Sequence, residues 1–279
     1  MKSLEIIKEI RKGFSEDEKY LARWNNELVV LRTFTKNFER RQQEANLLIQ
    51  LQQLSTNCLQ LRYIDEQTMI TSYIEGVDAE EAILQLSTTE QYEVGLHASQ
   101  DLLKIHQIKA PHFNWALHQR QKYFKYEEKL NSLQLHFPQK EQITTFINSH
   151  LHLMSNVQSV LLHDDFHLPN LIINNRLYAG VIDFGRFDWG DPYWDFIKLG
   201  MFASEKSPHF CKGLIDGYFD HNIPADFWQR YSLYLAMNTF SMLVWGHHLE
   251  TYNELFTHVQ RILNDHDYFN QVIPSWYTA

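Results

Sequence analysis

The sequence predicts an α+β fold in two lobes: a small antiparallel sheet lobe over residues 1–74 and a larger, mainly helical lobe over 75–279. Three observations predict it. The first third carries short β-branched and aromatic runs punctuated by turn residues, the pattern of hairpin strands. From Ser87 onward the apolar residues recur mostly at helical spacing. Two apolar runs flanking a polar turn, Leu171–Asn174 and Leu177–Ile182, then interrupt that helical stretch with a second hairpin. A chain of 279 residues, 44% of them hydrophobic, buries a substantial core and suits one compact unit of two lobes.

The elements follow in order. Lys19–Trp24, the turn Asn25-Asn26 and Leu28–Phe34 read as a hairpin. Gly13-Phe14-Ser15 before it is a candidate tip for a phosphate-covering loop, although one glycine is far from a G-x-G-x-x-G pattern and equally marks a simple turn. Asn37–Leu54 is helical, with Leu47, Leu48, Leu51 and Leu54 on one stripe. Glu44 falls three and four residues before Leu47 and Leu48, on or beside that buried stripe, where a carboxylate needs a cationic partner. Thr68–Thr71 reads as the last strand of the first lobe and runs into Ser72–Gly76. Ser87-Thr-Thr-Glu90 is a capping box that opens a helix to about Ile108, ended by Pro111. His106, near its end, reads as a buried, satisfied histidine. Asp191-Pro192 is an N-cap followed by proline at the first helical position, and the chain after Met201 is mostly helical through Trp245.

The chemistry concentrates in His163-Asp-Asp-Phe-His-Leu-Pro-Asn170, of the form H-x-D-x-x-x-x-N, and in Asp183-Phe-Gly185 beyond the hairpin. Residues at the open end of an antiparallel hairpin lie together, so Asn170 and Asp183 converge. Two oxygen donors there suit Mg²⁺, which takes one or two protein oxygens plus nucleotide phosphates and keeps several waters. Asp165, in the loop feeding the first strand, is left to accept or orient the proton of an attacking hydroxyl, the arrangement of kinase catalytic loops. Metal-hydrolase readings compete: His163 and His167 stand four apart, and His163-Asp164 is an HD pair. Both require a helix, whereas Pro169 and the β-branched run after Asn170 predict loop and then strand.

This block resembles the aminoglycoside phosphotransferase family, relatives of the protein kinases whose loop commonly reads HGD-x-x-x-x-N, followed by an ID strand end and a GDP-x-x-D segment. Here the text is His163-Asp164-Asp165, Ile182-Asp183 and Gly190-Asp191-Pro192-Tyr193-Trp194-Asp195. Asp164 replaces the usual glycine, a departure expected to tighten the turn while leaving Asp165 and Asn170 in place. The resemblance implies a protein-kinase-like fold with ATP or GTP and Mg²⁺ as cofactors. It implies that Asp165 is catalytic and that Asn170 and Asp183 hold the metal. His163 and Asp195 would support the loop, Asp195 by accepting its backbone amides. Arg32 would stand where kinases carry a phosphate-contacting lysine and would pair with Glu44; its planar fork is not interchangeable with an ammonium. Adenine would meet backbone at the hinge, the Ser72 carbonyl and the Ile74 amide. The acceptor pocket would form from about Phe113 to His152 and from the C-terminal helices, where Asp188, Glu250 and Glu254 are candidates for recognising a polyamine sugar.

A small-molecule acceptor of aminoglycoside type is the leading reading. Choline, amino alcohols, sugars and macrolides are handled by relatives with the same loop, and a noncatalytic nucleotide-binding module is the competing class. The net charge of −9 argues against nucleic acid, which wants a basic footprint, and suits a cationic substrate. Two cysteines, Cys58 and Cys211, make neither a disulfide framework nor a zinc site. The lack of a long apolar segment and of a charged leader predicts a cytoplasmic protein without membrane contact.

Overall fold

The computed structural model describes residues 4–11, 17–110 and 112–278, so the Gly13–Ser15 loop and the Pro111 helix stop lie outside the described residues. Five strands form the first sheet: β1 (Leu4–Glu9), β2 (Glu18–Trp24), β3 (Glu27–Thr33), β4 (Leu61–Ile64) and β5 (Thr68–Ser72), in the order β1-β2-β3-β5-β4. All neighbouring pairs are antiparallel. The β2–β3 turn is made by Asn25 and Asn26, both at positive φ (53° and 67°), a geometry asparagine tolerates and two-residue hairpins require. Between β3 and β4 runs α1 (Phe38–Gln53). Its buried residues are Glu44, Ala45, Leu47, Leu48 and Leu51, whereas Leu54 becomes the half-buried C-cap.

Val29, Leu31, Ala22 and Ile70 pack together under Tyr20 and Trp24, while Phe34, Ala45 and Met69 form the seam with α1. Leu47, Leu48 and Leu51 instead join the main core of the larger lobe, so α1 is apolar toward both lobes. The hinge leaves β5 and reaches Gly76, at φ +138°, where a Cβ would stand 2.4 Å from the Ile173 carbonyl oxygen. Only glycine fits a backbone so placed and so twisted.

Beyond it, β6 (Val77–Asp78) pairs with β8 (Leu171–Asn174), which pairs with β9 (Leu177–Val181). A separate ribbon joins β7 (Val160–Leu162) to β10 (Asp188–Gly190). The helices of this lobe are α2 (Ala79–Ala82), α3 (Thr88–Ile105), α4 (Trp115–Ser132), α5 (Lys140–His150), α6 (Ser204–Lys206), α7 (Pro208–Tyr218), α8 (Ala225–His248), α9 (Tyr252–Asp265) and α10 (Ser275–Thr278). Ser87 and Glu90 close the full capping box at the start of α3. That helix stops at Ile105, short of Ile108, because the chain turns to meet β7: Leu161 N–H donates to the Ile108 carbonyl (2.8 Å) and Ala110 N–H to Ser159 (3.0 Å). α8 buries Tyr231, Tyr234, Leu235 and Phe240 completely, the mark of a helix apolar on most sides and placed at the centre of its lobe.

This is a kinase-like fold, an antiparallel five-stranded sheet followed by a mainly helical part. No helix among the described residues is long and apolar enough to cross a membrane.

Candidate active site

The loop 163–170 is held from two sides. Asp195, fully buried, accepts the His163 N–H through Oδ2 and the Asp164 N–H through Oδ1, each at 2.8 Å. The same Oδ2 accepts from His106 Nε2 at 3.1 Å. His106 Nδ1 then pairs with the Tyr218 hydroxyl at 2.7 Å, so both ring nitrogens have partners. Asp195 is itself placed by the turn that Asp191 caps: Asp191 Oδ1 accepts the Tyr193 N–H at 3.0 Å, and Oδ2 takes Arg230 at 2.6 Å and Tyr234 at 2.5 Å.

On the other side the loop is tied to the foot of the β8–β9 hairpin. His163 Nε2 donates to the Ile182 carbonyl at 2.9 Å, and Ile182 N–H donates to the Asn170 carbonyl at 2.9 Å. Ile182 thus binds both ends of the motif, and Asp183 is the residue that follows it. The segment is loop, a 3-10 turn over Leu168–Asn170 and then strand. No α-helix presents His163 and His167 on one face, and among the described residues no cluster of three or more His, Cys, Asp and Glu could hold a metal. The metal-hydrolase readings fail on that geometry.

Asp164 sits at φ +60°. That left-handed conformation is open to glycine and tolerated by aspartate, which accounts for the substitution in the motif. Its Oδ1 accepts from Trp194 Nε1 at 2.7 Å. Burial pushes its carboxyl up, against the pull of Lys122 and Lys198.

Asp165 meets Asn170 directly: Asn170 Nδ2 donates to the Asp165 backbone carbonyl at 2.8 Å and to Oδ2 at 3.0 Å. Its Oδ1 lies 3.1 Å from Lys198 Nζ and 3.4 Å from His167 Nε2. Burial opposes ionisation of Asp165, yet the His167 imidazole and the Lys198 charge outweigh it and hold the carboxyl well below the usual carboxylate range. With the Asn170 amide nitrogen turned to Asp165, its amide oxygen is left for a cation.

Asp183, at φ +65°, faces the sheet lobe. Lys19 Nζ lies 3.4 Å from its Oδ2 and Arg32 Nη2 4.0 Å from its Oδ1. Burial raises and these two cations lower its carboxyl, and the cations prevail. Asp183 and Asn170 supply hard oxygens without a protein cage, a donor set that fits Mg²⁺. Arg32 Nη1 contacts both oxygens of Glu44 at 2.9 Å. Its Nε lies 2.9 Å from Asp17, which also meets Arg41 at 2.6 Å, and Arg41 reaches Glu44 at 3.2 Å. The paired arginines and carboxylates form a part-buried network at the lobe junction. At the end of β5, Ser72 N–H donates to the Gln60 carbonyl at 2.8 Å, while Ile74 N–H donates to no backbone carbonyl among the described residues.

Sequence reasoning missed Lys19, Asp17, Arg41, His167 as a partner of Asp165, and Lys198. Lys19 had a signal, since it lies directly across the β2–β3 hairpin from Arg32. Lys198 is three residues beyond Asp195 and therefore on the same side of a helical turn. Asp188 lies 3.9 Å from His118. Glu250 and Glu254 border a cavity of about 680 Å³ with His247, Thr251, Tyr252 and Asn253.

A family model described as a phosphotransferase enzyme family matches residues 6–234. No curated protein matches the sequence. Among solved structures, the streptomycin–ATP–APH(2")-IIa ternary complex is similar at TM-score 0.67 and 20% identity, over 98% of this chain and 94% of that one. The gentamicin–APH(2")-IIa complex gives 0.65 and 20%, over 97% and 93%. The macrolide 2'-phosphotransferase MphH from Brachybacterium faecium gives 0.61 and 14%, over 93% and 92%.

Proposed function

The chain belongs to the phosphotransferase enzyme family, and on that premise we propose that it transfers the terminal phosphoryl group of ATP or GTP, with Mg²⁺, to a hydroxyl of a small molecule of aminoglycoside type. The observation that carries the reading is the meeting of Asp165 and Asn170 at 3.0 Å, with Asp183 following directly on Ile182, whose amide is bonded to the Asn170 carbonyl. Bound Mg²⁺ would neutralise and hold the nucleotide phosphates. Asn170 and Asp183 would hold it. Arg32 and Lys19, both against Asp183, bring positive charge to the same place, and the Glu44 and Asp17 contacts keep Arg32 in position.

Asp165 serves the acceptor. A carboxylate held so far below its ordinary range binds a proton weakly, so its work is to orient the hydroxyl rather than to store its proton. The acceptor oxygen forms its bond to phosphorus as the bond to the β-phosphate oxygen breaks. The nucleoside diphosphate leaves, and the proton of the hydroxyl that Asp165 orients passes to water. Catalysis in this design is positioning and charge neutralisation. The net charge of −9 supports a cationic acceptor, and complexes with streptomycin and gentamicin among the structural neighbours support the same class.

The test is transfer of ³²P from the γ-position of ATP and of GTP across gentamicin, kanamycin, a macrolide, choline and sugars, with and without Mg²⁺, in the wild type and in Asp183→Ala. Mg²⁺-dependent labelling of aminoglycosides, lost in Asp183→Ala, is the expected result. Labelling of another acceptor class would overturn the aminoglycoside assignment, and nucleotide binding without labelling of any acceptor would make the chain a binding module.

A further inference from the structure

Lys198 lies outside every motif through which the loop is recognised, yet its Nζ stands 3.1 Å from Oδ1 of Asp165. The pair is mostly shielded, with Lys198 16% and Asp165 22% exposed at the side chain. An ammonium is a compact, strongly hydrated charge, and drawing it out of water to a carboxylate already bonded by Asn170 costs free energy that an ordinary surface pair would not recover.

The surrounding backbone fixes where that ammonium goes. Lys198 sits between the 3-10 turn Pro192–Phe196 and a π-helical turn over Leu199–Ala203, a local geometry that often marks functional sites. Asp195, one turn earlier, grips the His163 and Asp164 amides, and Lys198 takes the next residue by its side chain. On the far side, Arg261 Nη2 donates to the Gly200 and Met201 carbonyls at 3.0 and 2.6 Å, and the Phe202 ring lies 5.6 Å from the ammonium.

An ionised carboxyl offers about four lone-pair sites. Lys198 and His167 crowd Oδ1, and Asn170 takes one site on Oδ2. The capacity left on Asp165 is therefore on Oδ2, the oxygen next to the Asn170 amide. We propose that Lys198 is a positioning residue of the phosphotransfer reaction: together with His167 it occupies Oδ1 of Asp165 and so directs the attacking hydroxyl to Oδ2, on the side of the metal-binding Asn170. The proposal rests on the phosphotransferase reading of this site and adds to it a residue that acts through Asp165.

The experiment compares wild type, Lys198→Met and Lys198→Arg in ATP-driven phosphorylation of kanamycin and gentamicin, and in slow ATP hydrolysis, where water takes the place of the acceptor. Lys198→Met is expected to lose kcat by about 10- to 100-fold, the scale of a misplaced reacting group. Its KM for ATP should stay within about twofold, because nothing on the nucleotide side is touched. Lys198→Arg, which keeps a cation at Oδ1, should recover most of the loss. Mg·ATP affinity measured by calorimetry shows that each variant is folded, and Lys198→Gln replaces the methionine variant if that one fails. Wild-type kcat in Lys198→Met, or a loss carried by ATP KM, or an arginine variant as slow as the methionine one, would overturn the role given to Lys198. A wild type inert in both reactions would instead sink the phosphotransferase reading beneath it.

Discussion

Replacing Asp195 by alanine removes three hydrogen bonds at a fully buried point: the amides of His163 and Asp164 at 2.8 Å each and His106 Nε2 at 3.1 Å. Two backbone donors are left buried without partners, at about 1–3 kcal/mol each. The expected loss of unfolding free energy is therefore about 2–6 kcal/mol, against a total of about 5–15 kcal/mol for an ordinary domain. Asp195→Asn preserves the shape but turns a donor toward a donor, and about half that loss is expected. Urea denaturation followed by tryptophan fluorescence reads the stability. Kinetics on whatever fraction is folded should show kcat falling by about 100-fold, because the loop that aims Asp165 loses its support. An alanine variant less than about 0.5 kcal/mol below wild type would refute the reasoning, since it would mean that water or backbone rearrangement satisfies those amides without cost.

Asp164 and Arg32 give two more. Burial raises the Asp164 carboxyl above its ordinary 3.8, so its favourable contribution to folding is complete below that pH and is lost as pH rises through the folded-state value. Asp164→Asn keeps the tolerance for φ +60° and an oxygen for Trp194, so its thermal midpoint should exceed wild type at pH 7 and converge on it near pH 4; the reverse ordering would contradict the assignment. Arg32→Lys cannot span Glu44, Asp17 and Asp183 with a single ammonium. A loss of about 1.5–3 kcal/mol, that of one charge-assisted hydrogen bond, is expected in urea unfolding, and no measurable loss would reduce the network to ordinary surface pairing.

The parts legible in the sequence were those with strong local chemistry. The Asn25-Asn26 turn, the Ser87–Glu90 capping box and the Asp191-Pro192 helix start each declare themselves through residues with one conformational use. The loop block let Asn170 and Asp183 be named together because a hairpin brings its two feet together, and Asp165, in the loop before it, does meet Asn170 at 3.0 Å. Glu44 was legible because a carboxylate beside a buried stripe demands a cation, and the family resemblance named Arg32 as that cation, which contacts Glu44 at 2.9 Å. β1 escaped because all its side chains are exposed, so no burial pattern is written into Leu4–Glu9. β4 is four residues long and half-exposed, with the same result. Lys198 and Lys19 escaped for a different reason. A lysine is most often a solvated surface charge, and the hairpin register of Lys19 and the turn position of Lys198 give their side of the backbone without showing that they reach Asp183 and Asp165.

The central claim is that Asp165 acts on the acceptor while Asn170 and Asp183 act on the nucleotide, and one pair of measurements on Asp165→Ala tests it. Calorimetric Mg·ATP affinity should stay within about threefold of wild type, while phosphoryl transfer falls by about 100-fold or more, the scale of a misplaced attacking group. Transfer within about tenfold of wild type, or loss of Mg·ATP binding in step with transfer, would contradict that division of labour.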